Sequence, residues 1–273
     1  MRIGDVGSGN RTMPMTDVAA LAVATFAQRP DLLGKVFGFE IQSAVPEFMR
    51  HDPVAALYYR NGQLEHYSEF GLVAIDPAEP ARPVARAFSV PFAFRDGTPG
   101  REELPDSGWD AVIRWADEDR RAERPAKAVS ALEIMVAPRL QRSGISRLML
   151  TALRENARRL GFTDLYAPLR PTDKYREPLT RFADYVARQR DDGLPYDSWV
   201  RTHVRAGARV VKVAPCSMVI AGTIAEWRRW TGLDFVESGP AIVSGALSPV
   251  HASLEQDHAV YVEPNLWVHH RLG

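Results

Sequence analysis

One stretch constrains the fold more than any other: Ala131-Leu-Glu-Ile-Met-Val-Ala-Pro-Arg-Leu-Gln141-Arg-Ser-Gly-Ile-Ser146 and the segment that follows it. Ala131 to Val136 is short and apolar and stops before Pro138, which predicts a buried strand. Residues 141–146 are polar and mostly small, suited to a sharp turn. Apolar residues then recur at Ile145, Leu148, Met149, Ala152, Leu153, Ala157 and Leu160. That is helical spacing, and Gly161 closes it as a C-terminal cap. A strand that feeds a small-residue loop into a helix start makes an anion site. The first-turn N–H groups have no partner within the helix, and the helix dipole adds partial positive charge. Arg142 adds a full cation. The physics of this stretch alone predicts a pyrophosphate cradle.

Composition limits what surrounds it. The chain has 273 residues, 45% hydrophobic and 25% charged, a globular balance that suits one large domain or two small ones. Lys+Arg and Asp+Glu both number 34, so the broadly basic surface of a general nucleic-acid binder is not expected. The single cysteine, Cys216, leaves no internal disulfide and no Cys-rich metal site. No apolar run approaches the ~18 residues of a membrane span, and Met1-Arg2-Ile3 opens no apolar signal region. The expectation is a soluble cytoplasmic protein without a membrane or nucleic-acid partner.

In chain order, residues 1–15, with Gly4, Gly7 and Gly9, read as a flexible tail. Thr16 to Ala27 reads as a first helix, and Ile41 to Arg50 as a second, interrupted by Pro46. Leu57 to Tyr59 reads as a short strand and His66 to Phe70 as a turn. Gly71 to Ile75 and Val84 to Phe94 read as strands, with Pro91 marking an edge or bulge. Residues 96–127 look like an insertion around a helix at Trp109 to Arg121. Asp164 to Leu169 is a strand parallel to the central one, giving a right-handed strand–helix–strand unit. Residues 171–195 look like a second insertion, with a helix near Leu179 to Gln189. Asp197 caps a further helix. Arg209 to Val213 and Met218 to Ala221 form two strands or one bent strand. Thr223-Ile-Ala-Glu226 has capping-box spacing. Ala241 to Val243 and Ala259 to Val262 are late strands, with residues 245–258 a loop.

Val136-Ala-Pro-Arg-Leu-Gln-Arg-Ser-Gly-Ile-Ser resembles the acetyl-CoA signature of the GNAT superfamily of N-acetyltransferases, Gln/Arg-x-x-Gly-x-Gly/Ala after a strand and a Val-x-Pro turn. Here the pattern falls on Gln141, Gly144 and Ser146, with Ser146 small but neither Gly nor Ala. The likeness is good over about residues 130–210 and follows only the order of elements elsewhere. It implies an α/β fold: one domain with a mixed sheet splayed at its centre, helices on both faces and the two insertions. It implies acyl transfer from acetyl-CoA or another acyl-CoA to the amine of a small molecule, by direct attack in a ternary complex. Gln141, Arg142, Ser143, Gly144, Ile145, Ser146 and Arg147 would hold the phosphates, with Arg147 near the 3′-phosphate. Ile134, Met135 and Val136 would hold the pantetheine and thioester carbonyl.

Such chemistry needs the amine to lose a proton and the thiolate to gain one. Glu133 is the lone carboxylate of the central strand and is the candidate base; its plainer role is an ion pair with an arginine. The family's acid is a tyrosine four residues before a glycine. Here His203 stands four before Gly207, and histidine titrates near neutrality. Tyr196 occupies the position of the family's pantetheine asparagine. Cys216 as a nucleophile, His269-His270 as a metal pair and Trp227 with Trp230 as a pocket wall are each weaker than plain packing roles, and no metal is expected. Two other readings stay open. One is an acyl carrier protein as donor, with Arg142 meeting its acidic helix. The other is a non-catalytic CoA-binding module. The aromatic-rich C-terminal strands are a candidate homodimer seam.

Overall fold

The computed structural model describes residues 18–43, 45–60 and 63–273, so the expected tail at 1–15 and the start of the expected first helix at Thr16 lie outside it. The chain begins with β1 (Ala22–Thr25) and three one-turn helices, α1 (Phe39–Gln42), α2 (Ala56–Tyr59) and α3 (Gln63–His66). β2 (Leu72–Ile75) and β3 (Pro83–Phe92) follow, then α4 (Gly108–Arg121), β4 (Ala128–Val136), α5 (Ile145–Arg159) and β5 (Asp164–Leu169). After α6 (Phe182–Val186) and α7 (Ser198–Arg205) come β6 (Arg209–Gly222), α8 (Ile224–Thr231), β7 (Gly239–Ala241), β8 (Val250–Ser253) and β9 (His258–Arg271).

The nine strands form one sheet in the order β1-β2-β3-β4-β5-β9-β8-β7, with β6 paired to β9. Only β4 and β5 run parallel; the other pairs are antiparallel. The 14-residue β9 carries β6 along one edge and, along the other, first β8 and then β5. Period-2 alternation sends the side chains of β3 and β4 into two cores. Phe88, Val90, Phe92 and Leu132 meet α4 on one face. Val84, Ala85, Ala87, Val129 and Val136 meet Ile145, Met149 and Leu153 of α5 on the other. Residues 96–127 thus supply α4, a helix whose Val112, Ile113 and Ala116 are buried in the first core. A third cluster under the C-terminal strands centres on Trp227.

Three sequence expectations change, and one open alternative is decided. Residues 22–25 form an edge strand, not part of a helix from 16 to 27, because their backbone pairs with Leu72–Ile75; a short apolar run fits either period, and pairing decided it. Leu57 to Tyr59 is helical, closed by Leu57 N–H to Val54 O and Tyr59 N–H to Ala55 O. The region expected as a loop at 245–258 contains β8, and His251 lies on that strand. Residues 209–222 are one long strand with two register shifts. Among the described residues, no helix is long and apolar enough to cross a membrane.

One buried pair makes stability depend on pH. Asp110 on α4 and Asp52 are 2% and 3% exposed, and one oxygen of each, Asp110 Oδ1 and Asp52 Oδ2, is buried without a hydrogen-bond partner among the described residues. Burial first, and then the Asp52 charge, pushes the Asp110 carboxyl up to about 8. A folded value above the unfolded one means the folded state holds a proton the unfolded chain has released. Stability from that proton is therefore full below the unfolded carboxylate range and is lost as pH rises through about 8. The melting temperature is expected to fall from about pH 4 to about pH 8 and to level off above it, and Asp110→Asn to flatten that fall. An unchanged slope in the variant would assign the effect elsewhere.

Candidate active site

The sheet opens where its one parallel pair ends. β4 and β5 are in register only at Val129 with Leu165 and Ser130 with Tyr166. Beyond these the strands diverge around a cavity of about 480 Å³, with Ala131 to Met135 along one side and Ala167 to Arg170 along the other. Two local features accompany the divergence. Leu132 is an extra residue in β4, since Ala131 pairs with Ser89 but Glu133 pairs with the preceding Phe88; such a bulge bends and re-aims a strand. Its carbonyl accepts a hydrogen bond from the Trp109 indole at 3.0 Å. On β5, Pro168 has no N–H to give a ladder.

Alternation then assigns the free backbone groups. Ala137 N–H donates to Val84 O at 2.9 Å, so it points toward β3. The N–H groups of Val136 and Ile134, one and three residues earlier, point the opposite way, toward the gap. Ile134 and Met135 also line the cavity with their side chains.

The loop after β4 is shaped for an anion. Arg142 and Gly144 both take left-handed backbone angles, φ 64° and 98°. The N–H groups of Arg142, Ser143, Gly144, Ile145 and Ser146 make no hydrogen bond among the described residues, whereas those of Arg147 and Leu148 turn back to Gly144 O. A ring of consecutive free N–H groups at the start of a 15-residue helix is an anion-binding concavity. Gln141, Arg142, Ser143 and Gly144 are exposed, Ser146 is half-buried, and Ser143 Oγ donates to Leu140 O at 2.6 Å. Ile145 is 1% exposed and fixes the helix start in the second core. Arg142 and Arg147 are exposed cations without an ion pair among the described residues.

Glu133 reaches the cavity from β4. Its Oε1 accepts from Arg86 Nε at 2.6 Å, and Oε2 has no partner among the described residues. Arg86 is 2% exposed, donates to Val36 O at 2.7 Å and stacks its guanidinium on Phe37. A buried arginine so held fixes one oxygen of Glu133 and leaves the other facing the cavity. The expected ion pair and the free oxygen therefore occur in the same residue.

His203 also lines the cavity, from α7, which Asp197 caps by accepting from Trp199 N–H and Val200 N–H. The ring is 2% exposed. Burial, then His270 and Arg154, hold it well below the usual histidine range. It is neutral at pH 7, so the argument for an acid that titrates near neutrality does not apply; the ring acts as a neutral hydrogen-bonding group.

The remaining sequence candidates lie elsewhere. Tyr196 is 50% exposed and packs edge-on against Tyr185. Cys216 sits in the β6 irregularity with its thiol toward Asp106 O. His269 and His270 face opposite sides of β9, the first to Asp164 at 2.7 Å and the second to His203. Among the described residues no group of three or more His, Cys, Asp or Glu is placed to hold a metal. Trp227 is fully buried in the third cluster.

Sequence reasoning missed the far wall. Glu263, 0% exposed, is held by Arg170 Nε at 3.0 Å, Tyr261 OH at 2.8 Å and Asn265 Nδ2 at 3.2 Å. The Tyr59 hydroxyl and Gln42 Oε1, from residues that also line the cavity, are buried without a partner. The signal was present for two of these: Arg86 and Glu263 are single charges inside apolar strands, as Glu133 is.

Against known proteins, no family profile matches the chain. The arginine N-acetyltransferase avaD of Aspergillus versicolor is 31% identical over 276 residues, 91% of this chain and 93% of that protein. This chain belongs to the GNAT superfamily of N-acetyltransferases. The fold agrees. The loading GNATL domain of CurA from Lyngbya majuscula superposes with a TM-score of 0.53 at 14% identity, over 92% of this chain and 96% of that one. The GphF GNAT-like decarboxylase in complex with isobutyryl-CoA gives 0.52 at 16% identity, over 93% and 99%. As a GNAT enzyme the protein is an N-acyltransferase, moving an acyl group from acyl-CoA to an amine.

Proposed function

We propose that the protein acylates a small cationic amino acid, with arginine the first candidate, using acetyl-CoA or a related acyl-CoA. The observation that carries this reading is the opening between β4 and β5. A phosphate-shaped loop lies beyond the end of β4, and a carboxylate with one free oxygen faces the cavity from that strand. In this reading residues 141–147 hold the donor phosphates, and the N–H groups of Ile134 and Val136 hold the pantetheine amide and polarise the thioester carbonyl. Glu133 Oε2 takes the amine proton, directly or through water. The amine nitrogen bonds to the carbonyl carbon, the C–S bond breaks, and the thiolate leaves against a hydrogen bond from His203. Arg86 and Arg170 already pair the two carboxylates, but Glu133 Oε2, the Tyr59 hydroxyl and Gln42 Oε1 leave polar groups beside aromatic walls for a side chain that is polar at its end and partly apolar. The resemblance to an arginine N-acetyltransferase points the same way.

The test is CoA release and product mass with acetyl-CoA and a panel of amines. Arginine is expected to be acylated at least about tenfold more efficiently than a simple alkylamine, one lost polar contact being worth roughly 1.4 kcal/mol. Turnover only with pantetheine on an acyl carrier protein would move the donor to the carrier, with Arg142 and Arg147 as its contacts. Acyl-CoA binding with no transfer to any amine would leave a non-catalytic module. We read the location as cytoplasmic on the strength of the one unpaired cysteine.

A further inference from the structure

One extra residue changes the face on which the candidate base stands. In β4, Val129 and Ala131 belong to the second core, against α5. Ser130 pairs with Val90 of the first core, and Leu132 lies in that core, against α4. Strict alternation would place Glu133 with Ala131, on the α5 face. It does not stand there. Leu132 has no partner in β3, and Glu133 pairs with Phe88 of the first core. Paired residues share a face, so Leu132 and Glu133 are consecutive and both turned toward α4. Beyond the bulge the order stays reversed: Val136, which alternation would group with Leu132, packs in the second core. The face that Glu133 gains is the one that carries Arg86, two residues before Phe88 on β3, whose Nε donates to Glu133 Oε1 at 2.6 Å. On the other face the carboxylate would meet Ile145, Met149 and Leu153, an apolar wall.

The bulge has a fixed prop. Leu132 is 8% exposed, and its carbonyl accepts from the Trp109 indole Nε1–H at 3.0 Å. A residue squeezed out of a ladder leaves buried backbone groups to satisfy, and here an indole from α4 takes the carbonyl. Trp109 is in turn held from two sides. Its backbone N–H donates to Ser217 Oγ at 2.8 Å, and Ser217 Oγ donates to Asn265 Oδ1 at 2.6 Å. The approach of α4 to β6 is close: a Cβ on Gly108 would lie 2.2 Å from Ser217 Oγ. The indole lies nearly parallel to the Tyr59 ring, at 13° with centroids 6.2 Å apart. Its position is thus set by β6 and by the aromatic wall of the cavity. Indole has a single N–H, and with that group engaged by Leu132 it is not available to a bound molecule.

We propose that Trp109 is a positioning residue: its indole N–H pins the Leu132 bulge, and the pinned bulge sets Glu133 on the Arg86 face with its second oxygen toward the cavity. The proposal rests on the reading of Glu133 as the base. Without the indole N–H the bulge is free to migrate along β4, and each one-residue step past Glu133 turns that side chain to the opposite face.

The test removes the N–H alone. Benzothienylalanine in place of Trp109 keeps the shape of the ring and puts sulfur where the N–H stood; Trp109→Phe is the simpler second variant. The first readout needs no turnover. With leucine labelled at the carbonyl carbon and glutamate at nitrogen, coupled signals come only from Leu-Glu pairs, which are Leu64-Glu65, Leu132-Glu133 and Leu254-Glu255. The Leu132 carbonyl signal is expected to shift when the indole bond is lost, while the other two stay. An unmoved signal overturns the proposal, whether or not any amine is acylated. The second readout is kcat. The replacement should lower kcat by about 10–10²-fold, the scale of misplacing a reacting group by about 1 Å, with KM for acyl-CoA within about threefold of the parent. In a Glu133→Gln background the same replacement should change kcat by less than about threefold, because the group that it positions is gone. An equal loss in both backgrounds overturns the positioning role, as does a loss carried by KM alone. Parental kcat in Glu133→Gln by itself overturns the base reading and the proposal with it, a failure distinct from an unmoved carbonyl signal.

Discussion

Glu133→Gln is expected to lower kcat by about 10²–10⁴-fold, the range for a lost general base, while leaving acyl-CoA affinity unchanged. The amide has the shape of the carboxylate, so Arg86 keeps an acceptor at the Oε1 position, 2.6 Å away in the parent. Arg86 also keeps Val36 O and the Phe37 face. What disappears is the basic oxygen facing the cavity. Some stability goes as well, because halving a buried pair costs up to roughly 3–5 kcal/mol, so turnover should be compared well below the melting temperature of the variant. A kcat within threefold of the parent would reduce Glu133 to the partner of Arg86. Arg86→Lys separates the two roles from the other side. A lysine cannot reproduce the fork that spans Glu133 and Val36 O, so it should loosen the carboxylate and lower kcat less than Glu133→Gln does.

The second large effect belongs to the phosphate loop. Gly144→Glu should weaken acyl-CoA binding on the order of 100-fold, about 3 kcal/mol, the loss of one or two hydrogen bonds to a charged group. Among the described residues nothing lies within 4 Å of where a Cβ on Gly144 would sit. In the proposed reading the donor phosphates occupy that open space, so the ligand, not the fold, would exclude a side chain there. The φ of 98° adds a backbone cost of about 1–2 kcal/mol to folding, visible as a lower melting temperature. Gly144→Ala shares that cost but carries no charge, and should lose distinctly less affinity. Equal affinity of the glutamate variant and the parent, by calorimetry with CoA, would remove residues 141–147 from the site and with them the donor half of the reading.

Much of this site is local in sequence. Ala131 to Val136, the Pro138 turn, the small-residue loop and the apolar spacing from Ile145 are consecutive, and each follows from dihedral preference, hydrogen-bond accounting and period. The structure keeps them in that order, with β4 ending at Val136 and α5 starting at Ile145. The short N-terminal pieces were misread because four-residue apolar runs such as Ala22–Thr25 satisfy a helix or a strand equally, and the edge of β2 settled the matter.

What the sequence by itself determined about this protein is therefore the local frame of the proposed donor cradle: a strand, a tight small-residue turn and a helix start, all set by neighbours along the chain. Only the tertiary structure decided the rest. The opening of β4 from β5 depends on one extra residue opposite β3 and on an indole from α4. The held oxygen of Glu133 depends on Arg86, 47 residues away, and the lowered titration of His203 on its burial and on His270, 67 residues away. Charge, burial and tautomer are properties of the surroundings of a side chain. Those surroundings are assembled by strand pairing between distant segments, which no local pattern encodes.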